Sequence, residues 1–526
     1  MGGELRVHGA RVSLAAGPGG GGGDAAHDAL VLLHVPGAAP PPPPLQRALD
    51  DALRLDKALE KSVGVVPCEA AAGGRLVVAP TGPLTEYDDV RSVYEAALAG
   101  VRRAVEAGAR RPLLALPAPL PAWPRAQLVA LLGALEALYV PLQVRESFPA
   151  QASAPEALGV WAPPAAALAP GAAGELLREA AALERARGLA RDIGGADPER
   201  MTPLRAAALL RDAFPPEGDG GGGARVAVRV LDDAAQIARE YPLFAAVSRA
   251  ADSVPRHRGC IVFLEYEPEE YEQTVMLVGK GVTYDTGGCD IKTGGAMAGM
   301  SRDVCGAAAV AGFVRACQLL RGRVKAVAAL ALLRNSVGEE AYVADELLRS
   351  RRGLAVRVGN TDAEGRLAMA DLLAELAGRA RGERAAHLYT VATLTGHAAR
   401  AVGEGYGVVL DNHAARAAGH AARLRAAAEA LGEPLEESSL RREDLRAHRG
   451  QAAGDQLLQA EARPSTATPR GHQAPAAFLL LAAGLEAGAA RYSHLDVAGS
   501  AGTFPRPPTA APLLALAAHY GLVRSC

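Results

Sequence analysis

The segment VGKGVTYDTGGCDIK, residues 278–292, is an apolar run that passes at once into glycines and charged side chains. It holds two of the chain's five lysines, Lys280 and Lys292, although lysine and arginine together number 56. Arginine therefore stands at nearly every other basic position. Unlike arginine, lysine can lose its proton when it is buried or next to a cation, and it is a compact charge that can polarise a carbonyl. We infer that both positions need such chemistry; a chance pairing of two lysines is the alternative.

Apolar runs alternate with helical stretches on both sides of this segment. The runs are continuous, which is typical of strands that are buried on both faces of a parallel sheet. Helical stretches such as DVCGAAAVAGFVRACQLL and RLAMADLLAELAGRAR separate them. We therefore predict an α/β fold with a mostly parallel central sheet flanked by helices. The runs are CIVFLEY, TVMLVGKGV, KAVAALALL, HLYTVATLTG, YGVVLD and YSHLDVAG.

The chain of 526 residues is longer than one hydrophobic core usually organises, so two domains are expected. Glycine- or proline-rich tracts at 17–23, 36–44 and 215–224 predict surface loops. Shorter apolar runs, DALVLLHV and GRLVVAP among them, predict a smaller α/β domain near the N-terminus. The predicted parts are an N-terminal α/β domain at 1–165, a connecting helix at 166–190 and a catalytic domain at 191–526.

Composition excludes several classes of function. The formal net charge of −2 and the mixing of arginines with acidic residues argue against a nucleic-acid-binding surface. The apolar runs are short or broken by proline and charge, so no membrane partner is expected. Six cysteines without a CxxC pair are typical of a reduced, cytoplasmic protein. The segment GKGVTYDTGG lacks the spacing of the phosphate-binding motifs GxxxxGK[ST] and GxGxxG, which argues against a nucleotide-binding protein.

Four carboxylates follow the apolar runs in three separate segments. Asp285 ends one run, Asp303 precedes one helical stretch, and Asp362 and Glu364 precede another. Ligands bind at the carboxyl ends of the strands in open α/β sheets, so we expect these side chains to lie together. Unpaired, they would repel one another, and oxygen-rich clusters of this kind favour two divalent metal ions. The alternative is that Asp303 and Asp362 each cap a helix.

Four segments resemble the leucyl aminopeptidase family, peptidase family M17. They are VGKGVTYDTGGCDIK, MSRDVCGAAA (300–309), NTDAEGRLAMADLL (360–373) and VATLTG (391–396), and NTDAEGRL is a highly specific signature of that family. The similarity covers roughly 185–526. The segment YDTGGCDIKTGG (284–295) is most similar to an aminopeptidase-like branch of the family in animals. The resemblance implies a smaller α/β domain ahead of the catalytic domain.

The resemblance also implies a centre with two divalent ions, zinc at both sites or manganese or magnesium at one of them. Lys280, Asp285, Asp303 and Glu364 would bind one ion. Asp285, Asp362 and Glu364 would bind the other, so that Asp285 and Glu364 bridge the pair. A water molecule between the ions would attack the peptide bond, because the ions lower its pKa.

Two further residues receive catalytic roles from the resemblance. Lys292 would polarise the scissile carbonyl and stabilise the oxyanion that forms from it. Arg366 would bind a bicarbonate ion that carries a proton from the attacking water to the leaving amine.

By the same resemblance, the protein would release N-terminal amino acids from peptides and assemble as a homohexamer. Backbone around Thr393, Leu394 and Gly396 would line the substrate cleft, and Met300 would contact the first side chain or pack in the core. The chain has Ala296-Met297-Ala298 where the family usually has Asn-Met-Asp, so the loop beside the pocket is altered. A catalytically weak or inactive scaffold or regulator is the alternative function, and the presence of every predicted ligand argues against it.

Overall fold

The computed structural model describes residues 5–18, 27–152, 155–215 and 225–524. Its backbone divides into two compact units. Most of the glycine-rich tracts predicted as loops at 17–23 and 215–224 lies outside the described residues. The first unit comprises Met1–Gly188, Glu429–Gly432 and Val523–Cys526, and the second comprises Leu189–Ala428 and Glu433–Leu522.

The first unit is built on a seven-stranded sheet. The strands are β1 (Arg6–Val7), β2 (Ala10–Ala15), β3 (Ala29–His34), β4 (Gly64–Pro67), β5 (Arg75–Pro80), β6 (Pro112–Ala115) and β7 (Ala157–Trp161). They lie in the order β1-β2-β7-β6-β3-β5-β4. The five inner strands run parallel, and β1 and β4 pair antiparallel at the two edges. Nearly all side chains of β3 and β5 are buried, as their continuous apolar sequences predict.

One helix of this unit begins inside the proline tract. The tract at 36–44 predicts a loop, but α1 begins at Pro43, so its first two helical positions are prolines. Proline suits the first turn of a helix because the N–H group that it lacks has no partner there. The helices are α1 (Pro43–Leu55), α2 (Arg91–Glu106), α3 (Ala126–Glu136) and α4 (Leu142–Ser147).

A long helix, α5 (Ala172–Gly195), crosses from the first unit into the second. The sequence predicts a connecting helix at 166–190, and the helix of the structure begins later. Ala167 and Gly171 have backbone φ angles of 51° and 85°, which a right-handed helix does not contain. These two residues therefore delay the helix until Ala172.

The second unit contains an eight-stranded sheet and a small three-stranded one. The strands are β8 (Val226–Leu231), β9 (Cys260–Tyr266), β10 (Thr274–Asp285), β11 (Lys325–Asn335), β12 (Leu347–Arg349), β13 (Ala355–Arg357), β14 (His387–Ala392), β15 (Gly407–Asp411), β16 (Leu435–Ser439), β17 (Leu457–Leu458) and β18 (Arg491–Asp496). The large sheet has the order β16-β15-β18-β14-β10-β11-β9-β8, and the small sheet has the order β12-β13-β17. The central strands β18, β14, β10 and β11 run parallel, whereas β15 pairs antiparallel with β18, and β9 pairs antiparallel with β11 and β8. The predicted α/β fold is therefore confirmed, with a sheet that is parallel at its centre and mixed overall.

Helices cover both faces of the large sheet. The helices of the second unit are α6 (Pro203–Ala213), α7 (Ala234–Glu240), α8 (Pro242–Asp252), α9 (Cys305–Leu319), α10 (Glu364–Arg379), α11 (Gly396–Val402), α12 (His413–Ala417), α13 (His420–Glu429), α14 (Arg442–Ala447), α15 (Gln473–Ala483) and α16 (Leu513–His519). Helix α10 packs against α8 and α15, and α9 packs against α16. Within the described ranges, no helix combines the length and the apolar character that crossing a membrane requires.

Glycines on β10 let α9 approach the sheet closely. A Cβ atom at Gly279 would lie 2.6 Å from Ala307 Cα, and one at Gly281 would lie 3.1 Å from Ala307 Cβ. Neighbouring side chains on a strand point to opposite faces. Lys280, between the two glycines, therefore points to the other face, where its side chain packs against Gly365 at the start of α10.

We expect Gly306→Ala to lower the free energy of unfolding by about 1–3 kcal/mol, the usual cost of overpacking. Gly306 lies in the first turn of α9, and its added Cβ would be 2.3 Å from Val391 O at the end of β14. Denaturant unfolding of the metal-free protein measures the change. The matched control is Gly378→Ala in α10, where a Cβ meets nothing within 4 Å. Alanine should stabilise that helix by about 0.5–1 kcal/mol, and equal stability of the two variants would contradict the packing described.

Candidate active site

The carboxyl end of the large sheet carries the predicted site. Lys280 lies on β10, which ends at Asp285, and Lys292 follows in the next loop. Two short 3₁₀ turns, Met300–Val304 and Thr361–Ala363, lead into α9 and α10. One cleft of about 1100 Å³ is lined by all the site residues that the sequence analysis selected. They are Lys280, Asp285, Lys292, Met300, Asp303, Asp362, Glu364, Arg366, Thr393, Leu394 and Gly396.

Neither aspartate of the two turns is a helix cap. The N-cap positions of α9 and α10 are Val304 and Ala363, and neither makes a side-chain capping hydrogen bond. Asp303 instead accepts a hydrogen bond of 2.9 Å from the hydroxyl of Thr393. Its carboxylate therefore faces the cleft rather than the end of its own helix.

Lys280 is buried among oxygen atoms. Its Nζ lies 2.7 Å from Asp303 Oδ1 and 2.8 Å from Glu364 Oε1, and it donates to Thr393 O at 3.2 Å. These contacts use all three N–H groups of the ammonium. The lysine side chain packs tightly against the start of α10, because a Cβ atom at Gly365 would lie 2.5 Å from Lys280 Cε.

Lys292 neutralises the other two carboxylates of the cluster. Its Nζ lies 2.9 Å from Asp285 Oδ2 and also contacts Asp362 Oδ1. The backbone N–H of Lys292 donates to Thr286 O at 2.9 Å, which folds the loop back toward the end of β10. The side chain is 14% exposed, so its ammonium still reaches the cleft.

The cluster retains carboxylate oxygens that nothing in the described part of the chain satisfies. Asp303 Oδ2 and Glu364 Oε2 are buried and have no hydrogen-bond partner. Asp285, Asp303 and Glu364 each offer an oxygen within 4.8 Å of the others, the arrangement expected of a metal site. Buried carboxylate oxygens without partners are costly in a metal-free protein, and a hard divalent cation satisfies them.

Electrostatics within the cluster point the same way. Burial raises the pKa of Glu364, and the charge of Asp285 raises it further. Burial also raises the pKa of Asp362, with the charges of Asp285 and Glu364 adding to the effect. Burial alone would lower the pKa of Lys280, but the negative charges of Asp303 and Glu364 outweigh it and raise that pKa. Four carboxylates face two ammonium groups, so the cluster is short of positive charge.

Arg366 presents a buried cation with spare hydrogen-bonding capacity. Its Nη1 donates to Gln459 O at 3.0 Å, while its Nε has no partner among the described residues. No carboxylate of these residues forms an ion pair with it, and burial lowers the pKa of Arg366 to about 10. The guanidinium lines the same cleft as the carboxylates and can accept a small anion there.

The residues predicted to contact substrate line this cleft. Thr393 and Leu394 follow β14, and Gly396 is the first residue of α11. Met300 is half-buried and lines the cleft as the first residue of a 3₁₀ turn. It is not among the buried residues of the core, the other place that the sequence allowed for it.

Three polar residues that the sequence alone did not single out join the ligand loops. Asn335 Nδ2 donates to Asp285 Oδ1 at 2.8 Å and to Thr361 O at 3.1 Å. Asp290 Oδ2 accepts from Thr361 N at 2.7 Å, and Thr361 Oγ1 donates to Gly287 O at 2.7 Å. Asn335 ends β11, so the rule that found the acids also points to it.

Sequence comparisons identify proteins that this chain is similar to. A model of the cytosol aminopeptidase family, catalytic domain, matches residues 188–513. The Caenorhabditis elegans protein named "Putative aminopeptidase W07G4.4" is 39% identical over 490 residues, which cover 90% of each chain. The "Probable cytosol aminopeptidase" of Chlamydia trachomatis serovar D is 34% identical over 218 residues, 41% of each chain.

Solved structures share the fold. The bottromycin maturation enzyme BotP in complex with Mn superimposes with a TM-score of 0.76 at 24% identity, over 94% of this chain and 99% of that one. Leucyl aminopeptidase from Trypanosoma cruzi gives a TM-score of 0.75 at 20% identity, over 95% of this chain and 94% of that one. At these identities the likeness shows the two-domain α/β fold.

Proposed function

Because this chain belongs to the cytosol aminopeptidase family, we propose that it is a metal-dependent aminopeptidase that releases N-terminal amino acids from peptides. The observation that carries the proposal is the buried group Asp285, Asp303 and Glu364, two of which hold oxygens that find no partner among the described residues. BotP, which has the same fold, was solved in complex with Mn, and this supports a divalent ion as the occupant.

The proposed centre holds two divalent ions, zinc at both sites or manganese or magnesium at one. One site consists of Lys280, Asp285, Asp303 and Glu364, with the lysine amine neutral. Asp285 and Glu364 are shared with the second site, which Asp362 completes. When bound, such ions lower the pKa of a water molecule and so supply a nucleophile near neutral pH. Metal binding at the first site would require the Lys280 ammonium, which now pairs with Asp303 and Glu364, to release one proton to solvent.

Lys292 is proposed to act on the substrate carbonyl. In the metal-free protein its ammonium pairs with Asp285 and Asp362, the acids assigned to the ions. With divalent ions bound by these acids, the Lys292 ammonium would instead donate a hydrogen bond to the carbonyl oxygen. A donor aimed at the developing oxyanion stabilises the transition state more than the bound substrate.

Arg366 is proposed to hold a bicarbonate ion, which supplies a base for proton transfer. Support comes from the buried guanidinium, whose Nε has no partner in the described chain.

The predicted substrate-contacting residues shape the space for the peptide. Met300 would contact its first side chain, and Thr393, Leu394 and Gly396 would flank its backbone. We also propose a cytoplasmic homohexamer, as the family resemblance implies, and light scattering would measure its mass.

Hydrolysis of leucine amide, after loading the purified protein with Zn²⁺ or Mn²⁺, tests the proposal. We expect turnover that depends on the added ion and disappears with a chelator. If the protein bound the ion but hydrolysed neither leucine amide nor a short peptide, the result would contradict the proposed enzymatic activity. That result would favour the alternative, an inactive scaffold of the same fold.

A further inference from the structure

One buried side chain outside the cleft holds the segment that carries Asp362 and Glu364. Gln459 follows β17 and is fully buried. Its Oε1 accepts from Gly359 N at 2.9 Å and from Asn360 N at 3.1 Å. Its Nε2 donates to Asn360 O at 2.8 Å and to Ala363 O at 2.9 Å.

These four hydrogen bonds use the whole capacity of the amide. A glutamine side chain has two donors and one oxygen with two lone pairs. The partners are backbone N–H groups, which only donate, and carbonyls, which only accept. The orientation of the amide is therefore fixed, because a flipped Gln459 would lose all four bonds.

Backbone contacts reinforce this attachment. Gln459 N donates to Arg357 O at 2.8 Å, which continues the pairing of β13 with β17. The Gln459 carbonyl accepts from Arg366 Nη1 at 3.0 Å. The two backbones approach so closely that a Cβ atom at Gly359 would lie 1.8 Å from Ala460 O. The segment 359–366 is thus held at both ends by a residue about a hundred positions later.

We infer that Gln459 is a positioning residue that sets the direction of Asp362 and Glu364 toward the proposed metal ions. The two carbonyls that its amide holds, those of Asn360 and Ala363, flank Asp362 on both sides. Glu364 and Arg366 follow directly in the first turn of α10. Gln459 does not line the cleft, so it acts through these residues rather than on the substrate. This inference rests on the proposed metal-dependent function.

Two variants separate the parts of the amide. Gln459→Met keeps the size of the side chain and removes all four hydrogen bonds. Gln459→Glu keeps the oxygen that accepts from Gly359 N and Asn360 N. It replaces the donating Nε2 by a second oxygen, which faces the carbonyls of Asn360 and Ala363. Mn²⁺ affinity by titration calorimetry, kcat and KM for leucine amide, and thermal unfolding are measured for the full chain. The control is Gln318→Met, another buried glutamine, near the end of α9 and outside the cleft.

We expect both Gln459 variants to bind Mn²⁺ about 10–100-fold more weakly, the usual loss when a partner that orients metal ligands is removed. We also expect kcat to fall more than KM rises, while Gln318→Met loses stability but binds Mn²⁺ like the wild type. Unchanged Mn²⁺ affinity and kcat in the Gln459 variants would overturn the inference. Both variants failing to fold while Gln318→Met folds would overturn it too, since Gln459 would then serve the fold alone. A wild-type protein that binds neither Zn²⁺ nor Mn²⁺ would instead refute the proposed function.

Discussion

Replacing Lys292 with arginine should slow turnover by at least about 100-fold, as expected for the loss of one oxyanion donor, and leave metal content unchanged. Arginine keeps the positive charge, so the acids Asp285 and Asp362 remain neutralised before metal binds. Its planar guanidinium is larger and spreads its charge over three nitrogens, whereas the lysine ammonium is a compact donor. The donor is therefore displaced from the carbonyl oxygen while the ligands stay in place. Steady-state kinetics and metal analysis of the same preparation measure both effects.

Lys325→Arg is the matched control for this substitution. Lys325 is also a buried lysine among acids, with Glu267 and Glu383 each 3.1 Å from its Nζ. It begins β11, at the end of the parallel strands opposite the cleft. We expect this variant to keep wild-type kcat. Full activity of Lys292→Arg, with the control equally active, would remove Lys292 from the mechanism.

Lys280→Arg should abolish tight binding at one metal site, with affinity falling at least about 10–100-fold. A metal ligand at this position needs a neutral amine, and arginine does not lose its proton in a protein. The larger arginine side chain would also be crowded here, because the lysine is already packed against α10. A Cβ atom at Gly365 would lie only 2.5 Å from Lys280 Cε. Turnover should fall with metal content, since both ions are needed for the proposed nucleophile.

Metal per chain after dialysis, measured by mass spectrometry, tests this expectation. Circular dichroism confirms that the variant is folded, and Lys325→Arg again shows what burying a larger cation does by itself. If Lys280→Arg retained its full metal content and activity, a neutral lysine ligand would not be needed. The presence of lysine at this position would then have another cause.

The strands at the centre of the large sheet could be predicted closely from the sequence, and some edge strands could not. The run CIVFLEY coincides with β9 at Cys260–Tyr266, and KAVAALALL begins at Lys325, the first residue of β11. A strand buried on both faces must be apolar throughout, so its signal is strong. The edge strand β16, with the sequence LEESS, has polar residues facing solvent and gives no such signal. The strands of the small sheet are too short to show a pattern.

The chemistry of the candidate site was also visible in the sequence, but not its second layer of contacts. Acids that follow apolar runs predicted a cluster, and the cleft brings all of them together. Asn335 and Gln459 are uncharged, so they do not stand out in the sequence as the acids do. Gln459 also follows a strand of only two residues. Nothing in the spacing of such residues reports which backbone groups they bind.

The sequence by itself determined which kinds of side chain meet at the carboxyl edge of the sheet, because parallel strands align the segments that follow them. It also indicated that two lysines belong to this cluster, since arginine stands almost everywhere else. Only the tertiary structure decided how these groups pair. Lys280 pairs with Asp303 and Glu364, whereas Lys292 pairs with Asp285 and Asp362, and two carboxylate oxygens of the cluster have no partner in the part of the chain that the structure describes. The reason is that such pairings depend on distances of a few ångströms between segments far apart along the chain, which packing alone sets.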